Sequence, residues 1–290
     1  MSIDKLQQKI RKMKCPVVVD FSFMKEHIPQ QYWDEKTDFI SAYTSYVLDL
    51  LEGLKLSVPA VRFNFAMFAL YGNKGIDALT ELLNAAKSKG YYVFLDVPDS
   101  FSKQSARYAA EALLGDGALW NFDGLVISSY VGSDGIVPYA DCLDHSEKDL
   151  FVVVRTSNRS AAEMQDLMTG SRLVHMAMAD IVYRQAPAFV ERGGYSRIGL
   201  VAAASSADSI RTLRGKYKDM FFLLDGSDYP NANAKNCSNA FDRFGHGAIA
   251  CVGLSVTHAW IQNEEIDRIT AAVNATERMK KNIGRYVTIL

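Results

Sequence analysis

Val17-Val18-Val19-Asp20-Phe21-Ser22-Phe23-Met24 decides the fold class of this chain. An apolar run closes on a carboxylate, and the residues after it contain no glycine. An open doubly wound sheet ordinarily carries a glycine-rich phosphate loop after its first strand, so this stretch points elsewhere. The first run spans 16–20, and others follow at 60–65, 91–96, 124–128, 150–155, 197–203, 220–224 and 248–254. Several are unbroken, such as Phe151-Val152-Val153-Val154. Strands covered on both faces need that composition, which means a parallel sheet. Between the runs lie amphipathic stretches. Residues 38–55 put Phe39, Ala42, Tyr43, Tyr46, Val47, Leu50 and Leu51 on one helical stripe, and 75–89 do the same with Ile76, Leu79, Leu82, Leu83 and Ala86. Further helices are predicted at 103–114, 171–191, 207–217, 234–244 and 262–283. Eight strands alternating with helices predict a (β/α)8 TIM barrel. Without a Pro/Ser-rich linker, low-complexity run or internal repeat, residues 1–290 read as a single domain.

Composition narrows the function classes. The chain has 290 residues, is 49% hydrophobic and 22% charged, and carries a formal net charge of −1. That balance gives no electrostatic case for nucleic acid or an anionic membrane surface. Cys15, Cys142, Cys237 and Cys251 show neither C-x-x-C spacing nor a nearby histidine pair, so no zinc site or disulfide framework is expected. The histidines His27, His145, His175, His246 and His258 lack metal spacing, and neither a metal nor a cofactor is expected. No apolar run approaches the roughly 18 residues of a membrane span, and the N-terminus has no apolar signal core. The expectation is a reduced, cytoplasmic, soluble protein.

In a barrel, chemistry sits at the C-terminal ends of the strands. The residues there are Asp20, Arg62 with Asn64, Asp96 with Asp99, Ser128 to Tyr130, Arg155 to Asn158, Asp225 to Asp228, and Ser255. Carboxylates ending three strands predict a polar mouth, although a strand-end Asp also serves as a cap for the turn or helix that follows.

The run Val93-Phe-Leu-Asp96-Val-Pro98-Asp-Ser-Phe101-Ser-Lys103-Gln-Ser-Ala106 resembles the third strand, loop and helix of the orotidine 5'-phosphate decarboxylases. Arg155-Thr156-Ser157-Asn158, with Gln165-Asp166 downstream, resembles the fifth-strand segment of that family's bacterial type 2 subgroup. Asp123 to Asp134 resembles its fourth strand, Arg62-x-Asn64-x-Ala66-x-Phe68 its second, Val17 to Asp20 its first and Gly199-Leu200-Val201 its sixth. The resemblance covers most of the chain in order. It implies a barrel fold, a place in pyrimidine biosynthesis, a homodimer, and a pyrimidine nucleoside-like ligand near Asp20, Asn64, Thr156, Ser157, Gly226, Asp228 and Ser255.

Departures fall where the family's catalysis lies. The family's third strand ends Asp-x-Lys-x-x-Asp; here Asp96 keeps the first place, Pro98 replaces the Lys and Phe101 the second Asp. The second-strand Lys is Arg62, a poor proton donor. The family's glycine-rich phosphate loop is Gly226-Ser227-Asp228-Tyr229-Pro230, and its phosphate-binding Ser-Arg pair is Ser255-Val256. These losses predict an orotidine 5'-phosphate decarboxylase homologue with absent or altered activity. The alternatives are an active decarboxylase using Asp20, Arg62, Asp96 and Asp99 in a rearranged site, a non-catalytic ligand- or partner-binding barrel, or a related lyase acting on a neutral or cationic ligand.

Overall fold

The computed structural model describes residues 2–34, 37–98, 100–128, 130–229, 232–262 and 265–290. Eight parallel strands close one barrel: β1 (Val17–Asp20), β2 (Ala60–Asn64), β3 (Tyr92–Asp96), β4 (Gly124–Ser128), β5 (Asp149–Val153), β6 (Ser196–Ala203), β7 (Met220–Asp225) and β8 (Ala248–Val252). Neighbours in sequence are neighbours in the sheet, and β8 closes on β1 through Val17–Ala250, Val18–Cys251 and Val19–Val252. This is the expected (β/α)8 barrel. The unbroken apolar runs make it possible, because one face of each strand fills the barrel and the other packs under helices. Phe94, Phe151 and Phe221 meet edge to face in the interior, at centroid separations of 5.1 and 6.3 Å.

Helices Phe39–Leu54, Gly72–Ser88, Lys103–Leu114 and Ala207–Lys216 stand where the apolar periodicity places them. The predicted helix over 171–191 is a correction. Gly170, at φ 65°, turns a short hairpin of Met168–Thr169 with Arg172–Leu173, the helix occupies only Val174–Tyr183, and a 3-10 turn containing Pro187 follows. The helix predicted over 234–244 stops at Ser238, and the last long helix starts at Arg268, where Asp267 caps it, rather than at 262.

A helix absent from the sequence reading, Ser2–Met13, buries Ile3, Leu6 and Ile10. It lies on the underside of the barrel, where Gln7 Oε1 accepts the Gly247 amide at 2.9 Å just before β8 begins. Among the described residues no helix is long and apolar enough to cross a membrane.

Candidate active site

Because all eight strands run parallel, their C-terminal residues converge on one rim. Arg62, from β2, is the hub there. Its side chain is only 9% exposed and points at three carboxylates. The Nε donates to both Asp96 oxygens at 2.9 Å, and Nη2 reaches Asp96 Oδ2 at 2.5 Å. Nη1 donates to Asp225 Oδ1 at 2.7 Å and stands 3.7 Å from Asp20 Oδ2. The same nitrogen lies 3.4 Å from the Cys251 sulfur on β8. Ser157, from the loop after β5, points its hydroxyl at Asp225 Oδ2 and at the Asp225 carbonyl, each at 2.8 Å. Gly226 makes that approach possible: it sits at φ 65°, and a Cβ there would come within 2.7 Å of Ser157 Oγ.

One guanidinium cannot hold three partly buried carboxylates equally. Burial lifts Asp96 to about 6 despite the opposing charge of Arg62. Burial also raises Asp20, with Arg62 and the Ser22 amide working against it. At Asp225 burial pulls upward as well, but the Arg62 charge and the hydrogen bonds from Arg62 and Ser157 outweigh it, so this carboxyl lies below the ordinary range. The contacts with Arg62 and Ser157 therefore favour the ionised form of Asp225 more than that of Asp96.

Asp228 forms the second feature. Its Oδ2 accepts the amides of Gly253 at 2.8 Å and Ser255 at 3.2 Å, so the carboxylate is tied down to the loop leaving β8. The Ser255 hydroxyl is buried without a hydrogen-bond partner among the described residues. Replacing Asp228 by Ala leaves both amides unpaired at the mouth. The expected loss is about 1–3 kcal/mol of stability, read as a lower denaturant midpoint with an unchanged slope.

A cavity of about 490 Å³ opens beside this cluster, lined by Asp20, Asp225, Asp228, Tyr229, Cys251 and His258 among others, with no Lys or Arg in its wall among the described residues. Burial holds His258 below the ordinary imidazole range, and the neighbouring His27 adds to this. Cys251, His258 and Tyr229 were not singled out as ligand contacts in the sequence. Their only local signal was position, at or just after the last residues of a strand.

The remaining predicted site residues are occupied locally. Asn64, expected as a ligand contact, caps the short helix Phe65–Ala69, its Oδ1 accepting the Ala66 amide at 2.9 Å. The Thr156 amide donates to Gln165 Oε1 at 2.8 Å, and Arg155 makes a two-pronged pair with Asp166 at 3.0 and 2.8 Å. The Arg-Thr and Gln-Asp dipeptides are therefore two sides of one clasp, and Thr156 serves it. Pro98 is exposed and Phe101 is 84% exposed, outside the Arg62 cluster. Asp99 lies outside the described residues. Lys103 starts a helix and faces Asp134 at 3.8 Å. Among the described residues no group of three His, Cys, Asp or Glu is placed to hold a metal ion.

A closed parallel barrel with charged side chains gathered at its C-terminal rim defines the class: a (β/α)8 barrel with a charged mouth. No family model matches the chain. It is, however, similar in sequence to proteins named orotidine 5'-phosphate decarboxylase. It is 25% identical to that enzyme of Caldicellulosiruptor bescii over 300 residues, covering 98% of each chain. Identity with the enzyme of Clostridium acetobutylicum is 25%, over 98% of this chain and 100% of the other. With that of Rhodopirellula baltica it is 27%, over 74% and 72%. The fold agrees with that of the Leishmania donovani OMP decarboxylase at a TM-score of 0.73, with 22% identity over 98% of this chain and 99% of the other. It also agrees with that of the Plasmodium berghei orotidine 5'-monophosphate decarboxylase at 0.78, with 14% identity over 98% of each.

Proposed function

We propose that this barrel binds a small, pyrimidine nucleoside-like ligand at its mouth and does not decarboxylate orotidine 5'-phosphate. One observation carries the reading: the only cation within the carboxylate cluster, among the described residues, is Arg62, and it is fully engaged with Asp96, Asp225 and Asp20. Loss of carbon dioxide from a pyrimidine ring leaves a carbanion that must be protonated. A guanidinium gives up its proton at no physiological pH, and neighbouring carboxylates hold this one more firmly still. The cavity wall of carboxylates without a Lys or Arg supports the same conclusion, since a phosphate would meet like charge there. The type 2 resemblance, with Pro98 and Phe101 at the family's Lys and Asp positions, supports it independently. On this reading Asp20, Ser157, Gly226, Asp228 and Ser255 shape the ligand site, and Asp96 and Arg62 fix its electrostatics. The resemblance also implies a homodimer, which sedimentation equilibrium tests.

The experiment is a direct assay of purified protein for loss of orotidylate absorbance. No turnover above background is expected. Steady turnover above about 1 per second, abolished by Asp96→Ala, sinks the reading and establishes a rearranged decarboxylase site.

A further inference from the structure

Two histidines pin one wall of the mouth. The segment leaving β8 forms the short helix Leu254–Thr257 and the 3-10 turn Ala259–Gln262, and its Leu254, Ser255, His258 and Ile261 line the cavity. Another 3-10 turn, Lys25–His27, follows β1. The two segments meet ring to ring. His27 and His258 pack edge to face at 4.8 Å, and His258 packs the same way on Trp260 at 5.0 Å. On the far side of the segment Tyr46 Oη, from the helix Phe39–Leu54, donates to the Thr257 carbonyl at 2.6 Å.

Each imidazole is held in a form that protonation spoils. His27 Nδ1 accepts the Met24 amide at 3.1 Å, which requires its lone pair. His258 Nε2 is buried with no hydrogen-bond partner among the described residues, so a proton placed there has no acceptor. Charging both rings also sets two like charges side by side. The surrounding groups divide. Glu26, next to His27, favours charge at His258. Lys25, over Trp33 at 4.9 Å, and Arg268, over Trp260 at 5.4 Å, carry the sign that opposes it. Across the cavity stand Asp20, Asp225 and Asp228. Burial, and then the charge of His27, hold His258 below the ordinary imidazole range. A conformer that frees the ring into water therefore binds the proton more tightly, and acid favours it.

We propose that the His27–His258 contact is an acid-labile latch on this wall of the mouth: protonation parts the rings, releases residues 254–262 and delivers His258 to the carboxylates of the cavity. Opening grows as pH falls below about 6.5, the ordinary imidazole value. The cavity then gains a cation in a wall that has none among the described residues, so pH sets both its access and its charge.

Hydrogen exchange of the full chain, read by mass spectrometry at pH 7.5 and pH 5.0, tests the latch, with labelling times scaled for the intrinsic pH dependence of amide exchange. After that scaling, residues 254–262 are expected to exchange at least ~10-fold faster at the lower pH, while the helix Ala207–Lys216, which follows β6, keeps its rate. His258→Phe retains a ring for the edge-to-face contact and takes no proton, so its rates at the two pH values should agree. A melting curve at pH 7.5 verifies that this variant folds; His258→Gln, which also takes no proton, replaces it if it does not. The readout needs no ligand and is independent of what the mouth binds. An unchanged rate for residues 254–262 in the native chain overturns the proposal. So does acceleration shared by Ala207–Lys216, which is a general loosening in acid, or acceleration that persists without His258.

Discussion

Arg62→Met is expected to cost roughly 3–5 kcal/mol of folding stability at pH 8, the loss typical when one partner of a buried charge cluster is removed. Methionine fills much of the same volume, so the effect is electrostatic: Asp20, Asp96 and Asp225 are left facing one another without a cation. The pH dependence identifies the cause. In the native chain Asp96 has a folded pKa of about 6, above its ordinary value of 3.8, so the folded state holds this proton more tightly than the unfolded one. Stability from this group is therefore fullest in acid and falls as pH rises from about 4 to about 6. Without Arg62 all three carboxyls shift upward, and the decline should extend further toward alkaline pH. Denaturant titrations of both proteins at pH 5 and pH 8 check this. Equal losses at the two pH values would mean that packing, not charge, is what Arg62 contributes.

Asp149→Asn is expected to do the reverse and stabilise the protein. Asp149 begins β5 at the underside of the barrel and is completely buried. Tyr92 Oη donates to its Oδ2 at 2.7 Å, while Oδ1 has no hydrogen bond among the described residues and the nearest cation, Arg197 Nε, is 3.7 Å away. Arg197 spends its own donors on the carbonyls of Leu143, Ser146 and Lys148. Burial consequently lifts Asp149 from 3.8 to about 7, against the Tyr92 hydrogen bond and the Arg197 charge. A carboxyl whose folded pKa is raised destabilises the fold progressively as pH climbs through that window, here from about 4 to about 7. The span of roughly 3 units corresponds to about 4 kcal/mol at 1.36 kcal/mol per unit. Asparagine keeps the acceptor for Tyr92 and carries no charge. The gain should reach a few kcal/mol at pH 8 and vanish below pH 4, as a melting series across pH would show. A variant less stable than the native chain at pH 8 would indicate that the Arg197 pairing outweighs burial.

The barrel was legible because its signal is local: each strand is a short apolar run, and β1, β2, β3, β4 and β7 end on polar residues that the parallel arrangement must carry to the same rim. The underside helix Ser2–Met13 carried an equally local signal, Ile3, Leu6 and Ile10 at spacings of three and four, masked by its many charged residues. The hairpin at 168–173 was hidden because its strands are two residues long and too short for any periodicity. At the mouth, the residue types were readable and the pairings were not. Arg62 meets Asp96 and Asp225 across 34 and 163 residues of chain, and no window of sequence holds both ends of such a contact. Asp228 illustrates the limit well. Its charge was apparent in the sequence, but its attachment to the Gly253 and Ser255 amides depends on where two loops come together.

The contacts around Arg62 also act as a hoop around the staves of the barrel. Side chains from β1, β2, β3, β7 and β8 and from the loop after β5 are joined there: Asp20, Arg62, Asp96, Asp225, Cys251 and Ser157. In most barrels of this architecture the C-terminal rim is where variation accumulates, because loops there change without disturbing the staves. In this protein much of that rim is bound into one unit, and a change at any of these positions is felt by the others. The loops after β4 and β6 contribute nothing to the hoop among the described residues. Their side chains are held by none of the Arg62 contacts, so new chemistry at the rim meets the fewest constraints there.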